Sequence, residues 1–305
     1  MLRLKLMFAT LTFTSFTTMA DVPDKILNTP IALLNGNTIT LEEYRDKKPV
    51  YLKFWASWCQ PCIKEMPHFQ ESQEEYGDQI KIISINIGIN DTVEDINKVA
   101  QEYELTMASA YDTDGEVAQA FQFIGTPYHL LFDKNINLVH RGHKADESLD
   151  KKLHLLANQS ETEHVSHAVF SKKEQTLDLP IYTKKPTAIY FTSTWCDWYL
   201  KETRPEASEN CSRSQVEFNK LASKYNSVNW MLVVSRLWTV QSDLDDYIKK
   251  YDIRITSLID TSNTAFVKYN IKNYPTLVVF KNGEEVHRTS DLVRDMRLAN
   301  IIESL

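Results

Sequence analysis

The stretch that most narrows what this chain can fold into is Trp58-Cys59-Gln60-Pro61-Cys62. It follows the apolar run Val50-Tyr51-Leu52-Lys53-Phe54-Trp55 and precedes Ile63-Lys64-Glu65-Met66-Pro67-His68-Phe69. A strand that ends in a C-x-x-C pair and opens a helix is a redox layout. Free N–H groups and the positive end of the macrodipole gather at a helix start, so a thiolate is stabilised there. That lowers the pKa of the first cysteine from about 8.5 toward neutrality or below. Pro61 suits an early helical position, where its missing N–H costs nothing. Two intervening residues let the second sulfur reach the first, so the pair can cycle between dithiol and disulfide.

At these residues the chain resembles the thioredoxin superfamily, and within it the TlpA/ResA-like periplasmic branch. The likeness rests on FWASWCQPCIKEMP and extends to Gly125-Thr126-Pro127, where the superfamily keeps its cis-proline loop. The resemblance implies a thioredoxin fold, with Cys59 as an exposed nucleophile and Cys62 as the resolving thiol. It implies catalytic parts for Glu65 and Pro127, and substrate contacts from Trp58 and Thr126. Trp55 and Trp58 flank the pair and are expected to pack and shield it. One position departs from thioredoxins proper. Their buried Asp, six residues before the first cysteine, is replaced here by Lys53. Proton transfer at Cys62 must then use Glu65, water or another group.

An internal repeat sets the architecture. Lys184-Lys185-Pro186 to Trp195-Cys196 repeats Lys47-Lys48-Pro49 to Trp58-Cys59 at an offset of 137 positions. Phe218 and Tyr225 follow Phe69 and Tyr76 at 149, and Asp260 to Pro275 follows Asp112 to Pro127 at 148. Val286-His287-Arg288 returns Val139-His140-Arg141 at 147, after a Lys281-Asn282-Gly283-Glu284 turn suited to a tight hairpin. The expected fold is therefore α/β, two tandem thioredoxin-like domains, each a central mixed sheet flanked by helices. In the first, the order βαβα then ββα follows a hairpin around Asn35-Gly36, and Thr92-x-x-Asp95 reads as a capping box. The helix opened by the cysteine pair is expected to kink or restart at Pro67. Both Thr126–Pro127 and Tyr274–Pro275 are expected to be cis.

The change of offset falls inside the active-site loop. At 149, Cys62 corresponds to Cys211, so the second domain keeps both cysteines but has 14 residues between Cys196 and Cys211. A continuous helix would separate the two by about 22 Å. The insert is therefore expected to loop out and return Cys211 to the start of its helix, with the Cα atoms within about 7 Å. Three readings stay open: a structural disulfide worth about 3 kcal/mol, a second redox pair with Pro275 in the cis-proline position, and a soft-metal site. The insert contains neither Met nor His, which speaks against metal. Trp198, Tyr199 and Leu200 read as loop packing or a docking patch. His68, His129, His140 and His143 are scattered, with no zinc spacing.

Of 305 residues, 43% are hydrophobic and 25% charged, ordinary for a globular protein of two domains. A net charge of −7 without a basic stripe argues against a nucleic-acid partner. Only 7 glycines are present, and no phosphate-cradling glycine loop is among them. No cofactor and no metal are expected. Residues 1–20 read as a signal peptide: Arg3 and Lys5, the apolar stretch Leu6 to Phe16, then small residues at Thr18-Met19-Ala20. Export places the chain in the periplasm, where two cysteine pairs make chemical sense. The domains are then 21–158 with the CQPC site and 168–305 with the insert. A polar linker over 159–167 joins them, its His164 and His167 reading as solvated loop.

The leading function is a periplasmic thiol–disulfide oxidoreductase acting on protein thiols and disulfides. The resemblance favours a reductase fed by a membrane electron donor. The alternative is a thioredoxin-fold binding or assembly protein, or a metallochaperone. In that case the cysteine pairs are structural or metal-binding. Oligomeric state has no sequence signal.

Overall fold

The computed structural model describes residues 22–158, 170 and 176–305. The signal-peptide reading and the linker with its two histidines lie outside the described residues. In the first half the order is α1 (Asp24–Leu27), β1 (Ile31–Ala32), β2 (Thr38–Ile39), β3 (Val50–Trp55), α2 (Gln60–Lys64), α3 (Met66–Tyr76) and β4 (Lys81–Asn86). It continues through α4 (Val93–Glu102), β5 (Ala108–Tyr111), α5 (Glu116–Ala120), β6 (Tyr128–Phe132), β7 (Leu138–Gly142) and α6 (Glu147–Ala157). The second half has β8 (Thr187–Thr192), α7 (Cys196–Tyr199), α8 (Pro205–Lys224), β9 (Asn229–Ser235), α9 (Gln241–Tyr251), β10 (Thr256–Asp260), α10 (Thr264–Lys268), β11 (Thr276–Lys281), β12 (Glu284–Thr289) and α11 (Leu298–Glu303).

Each half carries one five-stranded mixed sheet, and the strand orders correspond: β5-β4-β3-β6-β7 and β10-β9-β8-β11-β12. In both, the middle strand pairs parallel with the strand that follows it and antiparallel with the first strand of the closing hairpin. Every residue of β3 and of β8 is buried. A middle strand covered on both faces reads as an unbroken apolar run rather than an alternating one. Tyr51, Leu52 and Phe54 supply that run in β3, each side chain worth about 1.5–3 kcal/mol when fully buried. The exception inside it is Lys53, a cation with no solvent contact.

Local signals place most boundaries. Thr92 and Asp95 form a reciprocal capping box at the start of α4. Asn282 and Gly283 take φ of 55° and 87° between β11 and β12, the positive angles that a two-residue hairpin turn requires. The break between α2 and α3 falls at Glu65, two residues ahead of Pro67. Both Thr126–Pro127 and Tyr274–Pro275 are cis, as the family resemblance and the internal repeat implied.

Two expectations need correction. Cys211 does not open its helix. α8 begins two turns earlier at Pro205, so Cys211 lies well inside it. Pro205 is the first helical residue rather than part of a loop, the position where proline is tolerated best. Second, β5 had no counterpart in the sequence reading. Its residues Ala108-Ser109-Ala110-Tyr111 are small and only half buried at a sheet edge, so they carry little strand signature.

Candidate active site

β3 ends at Trp55, and the chain turns through Ala56-Ser57-Trp58 into α2. Asp91 fixes that turn: it accepts the Ser57 N–H at 2.7 Å, the Ser57 hydroxyl, and the Asn86 amide at 2.7 Å. Trp55 donates its indole N–H to Ser84 and Trp58 donates to the Ile89 carbonyl, both at 2.7 Å. Cys59 is thereby set at the N-cap of α2, where its sulfur accepts the Cys62 N–H at 3.3 Å. The two cysteines form a disulfide with Cα atoms 5.2 Å apart.

Beneath the pair, Lys53, Glu65, His129 and Tyr51 form one network. Lys53 Nζ lies 3.2 Å from Glu65 Oε2, and His129 Nε2 lies 3.1 Å from the same oxygen. Glu65 Oε1 accepts the Ala145 N–H at 2.9 Å. The Tyr51 hydroxyl is 2.7 Å from His129 Nδ1. Burial, reinforced by the Lys53 charge, lowers His129 to a pKa of about 4 against the pull of Glu65. The ring is therefore neutral at pH 7. The Glu65 carboxylate can only accept, so Nε2 carries the proton and donates to it, and the bare Nδ1 accepts from the Tyr51 hydroxyl. Burial likewise lowers Lys53 to about 8, partly offset by Glu65. For Glu65 itself burial pushes upward. The His129 hydrogen bond, the Lys53 charge and the Ala145 N–H outweigh it and hold the carboxyl near 2. Glu65 is thus an ionised carboxylate locked among three partners.

His129 had no expected role beyond being one of four scattered histidines, and Lys53 stood out only as a departure from thioredoxins proper. For Lys53 the signal was present. A lysine at the centre of a buried strand demands a counter-charge, and Glu65 is the carboxylate three residues beyond Cys62.

The second pair also meets its geometric expectation. Cys196 and Cys211 form a disulfide with Cα atoms 6.0 Å apart across 15 positions. α7 and the turn after it carry the chain out, and α8 brings it back. Cys196 Sγ lies 3.6 Å from Thr192 Oγ1, and Cys211 Sγ lies 3.7 Å from the carbonyl of Tyr274, next to Pro275.

The expectation of an exposed Cys59 fails. Cys59 and Cys62 both have 0% exposure, as do Cys196 and Cys211. The cause is the second half, whose insert lies over the first site. The rings of Trp58 and Trp195 stack with centroids 5.1 Å apart, and Tyr199 and Trp238 close around them. Arg204 reaches Ser57 Oγ at 2.7 Å, Asp95 at 2.8 Å and Asp91 at 3.4 Å. Gln60 donates to Glu202 at 2.7 Å. The proline loops join the contact. Asn90 donates its N–H to the Lys272 carbonyl and accepts the Tyr274 N–H, while Trp238 N–H donates to the Ile124 carbonyl. Trp58 and Thr126, expected at a substrate surface, are both buried, Trp58 against Trp195 of the second half. Pro127 follows Thr126, and its carbonyl meets His143 Nδ1 at 2.8 Å. Beside the loop opens a cleft of about 730 Å³, lined in part by Ile124, Gly125, His143, Trp238 and Val240.

A redox-capable cysteine pair at a helix start on a sheet of this order, with a proline loop beside it, defines a thioredoxin-fold redox protein. The comparisons with known proteins agree. A family model described as the AhpC/TSA family matches residues 20–141. The thiol-disulfide oxidoreductase ResA of Bacillus thuringiensis subsp. konkukian is 30% identical over 123 residues, covering 39% of this chain and 69% of the relative. ResA of Geobacillus kaustophilus is 31% identical, covering 46% and 80%. The thioredoxin-like protein YneN of Bacillus subtilis is 31% identical, covering 44% and 78%. The chain belongs to the thioredoxin-like thiol–disulfide oxidoreductases and is a redox enzyme.

Proposed function

We propose that the chain is a periplasmic protein-disulfide reductase that works through Cys59 and Cys62. The observation that carries this reading is the position of the Cys59 sulfur, at the first turn of α2 with the Cys62 N–H directed at it. In the reduced enzyme that site favours the Cys59 thiolate over the thiol. The thiolate attacks a substrate disulfide and forms a mixed disulfide. Cys62 then attacks Cys59, closes the Cys59–Cys62 bond and releases the substrate as a dithiol. Glu65 holds negative charge beside the resolving cysteine and steers its proton, with Lys53 and His129 positioning the carboxylate. Thr126 and Pro127 offer backbone groups to an extended substrate segment, which adds as a strand. Trp58 contributes apolar contact.

The direction of net flow depends on reduction potential, where about 30 mV corresponds to 1.4 kcal/mol. The likeness to ResA supports the reducing direction and a membrane electron donor. The signal-peptide pattern of residues 1–20 supports a periplasmic setting. Among the described residues no helix is long and apolar enough to cross a membrane. The same reading divides the chain into domains at 21–158 and 168–305. Because the second half covers Cys59, a large substrate reaches the sulfur only when the halves part.

Insulin reduction with dithiothreitol as electron source tests the reading. Wild type is expected to accelerate precipitation of the insulin B chain, and Cys59→Ser is expected to match the uncatalysed rate. Equal rates for the two proteins would end the enzyme reading of this pair.

A further inference from the structure

We propose that Cys196–Cys211 is the internal redox partner of Cys59–Cys62, so that the molecule passes an electron pair between its two halves. This rests on the Cys59/Cys62 cycle proposed above and adds the identity of one acceptor. The face of a thioredoxin fold that meets a substrate disulfide consists of the residue before the first cysteine, that cysteine, and the proline loop. In the first half that face is Trp58, Cys59 and Ile124 to Pro127, and what covers it is Trp195 of the second half together with Tyr199 and Arg204 of its insert and Trp238. Trp58 and Trp195, each immediately preceding the lead cysteine of its pair, stack at 5.1 Å with planes 30° apart. Both proline loops lie in the contact, through Trp238 to Ile124 and through Tyr274 to Asn90. All four cysteines belong to one continuous buried cluster that spans the two halves. The disulfide carried by the half that covers Cys59 is Cys196–Cys211, and it is as fully buried as the first pair.

The exchange balances without any further reactant. With the first pair reduced, Cys59 thiolate attacks Cys196 Sγ, the Cys59–Cys196 bond forms, and Cys211 leaves as a thiolate. Cys62 thiolate attacks Cys59 Sγ, the Cys59–Cys62 bond closes, and Cys196 leaves as a thiolate. Two electrons have moved to the second pair. The two protons released by Cys59 and Cys62 are taken up by Cys196 and Cys211. Arg204, anchored on Asp91 and Asp95, holds the halves in register for the attack.

The experiment uses the full chain with Cys62→Ser and Cys211→Ser together, oxidised with glutathione disulfide and analysed by peptide mapping under non-reducing conditions. A monomer containing a Cys59–Cys196 bond is the expected product. Glutathione adducts on both cysteines, or covalent dimers alone, would overturn the relay. A second measurement needs no resolving-cysteine variant. Reduction of Cys196–Cys211 by dithiothreitol is expected to be at least about tenfold slower in Cys59→Ser than in wild type, because the faster intramolecular route is gone. Equal rates would overturn the proposal. If wild type reduces insulin and Cys59→Ser does not while no interdomain bond forms, the relay falls and the function of the first pair stands. If insulin is reduced equally by both, the underlying reading has failed instead.

Discussion

Glu65 accepts from His129 and Ala145 and pairs with Lys53, and those contacts make its titration visible in stability. Its folded pKa, near 2, lies below the unfolded value of 4.5. Its contribution is therefore complete above pH 4.5 and is lost as pH falls toward 2. Urea titrations at a series of pH values should show Glu65→Gln with a flatter acid limb than wild type in that window. Lys53 is lowered as well, from 10.5 to about 8, so the unfolded chain binds more protons between those values. Stability from this group rises with pH across that range. At pH 7, Glu65→Gln leaves the Lys53 cation buried without its counter-charge and should cost about 3–5 kcal/mol. Lys53→Met added to Glu65→Gln should recover most of that loss in the same urea assay. A double variant no more stable than the single one would show that the charge pair is not the source of the cost.

At the scale of elements, the turn Ala56 to Trp58 and the segment around Arg204 act as one latch. Asp91 is buried, and burial raises its pKa. Asn86, Ser57 and Arg204 each pull it back down. Arg204→Ala removes a charged partner from that carboxylate and should destabilise by about 2 kcal/mol. It should also raise the rate at which iodoacetamide alkylates Cys59 in the reduced protein, by about tenfold. An unchanged alkylation rate would mean that Arg204 does not hold the cover in place. The elements that carry this latch were unequally legible in the sequence. β3, the capping box of α4 and the hairpin at Asn282-Gly283 follow from local chemistry and stand where the residues placed them. α8 was read too short because Pro205 looked like a loop residue, although Pro205-Glu206-Ala207-Ser208 is an acceptable helix start. The covering of Cys59 left no periodic trace, since Trp195, Tyr199 and Arg204 meet Trp58, Ser57 and Asp91 only after both halves have folded. His129 was invisible for a similar reason: its partner Glu65 is 64 positions away.

For the whole molecule, the two halves share a core, so changes at the second pair should be felt throughout. Cys196→Ala with Cys211→Ala opens a 15-residue loop in the unfolded chain and should lower stability by about 3 kcal/mol in chemical denaturation. An unaltered midpoint would mean that the bond constrains the unfolded chain too little to matter. The stacked indoles of Trp58 and Trp195, with Trp238 against both, add a consequence of an optical kind. Two of these three rings are chain neighbours of a disulfide sulfur, and disulfides quench indole emission strongly. Reduction of either pair should brighten the cluster, whereas separation of the halves should shift its emission to longer wavelength as water reaches the rings. Brightness and colour would then report electron transfer and opening as separate signals, without any added dye.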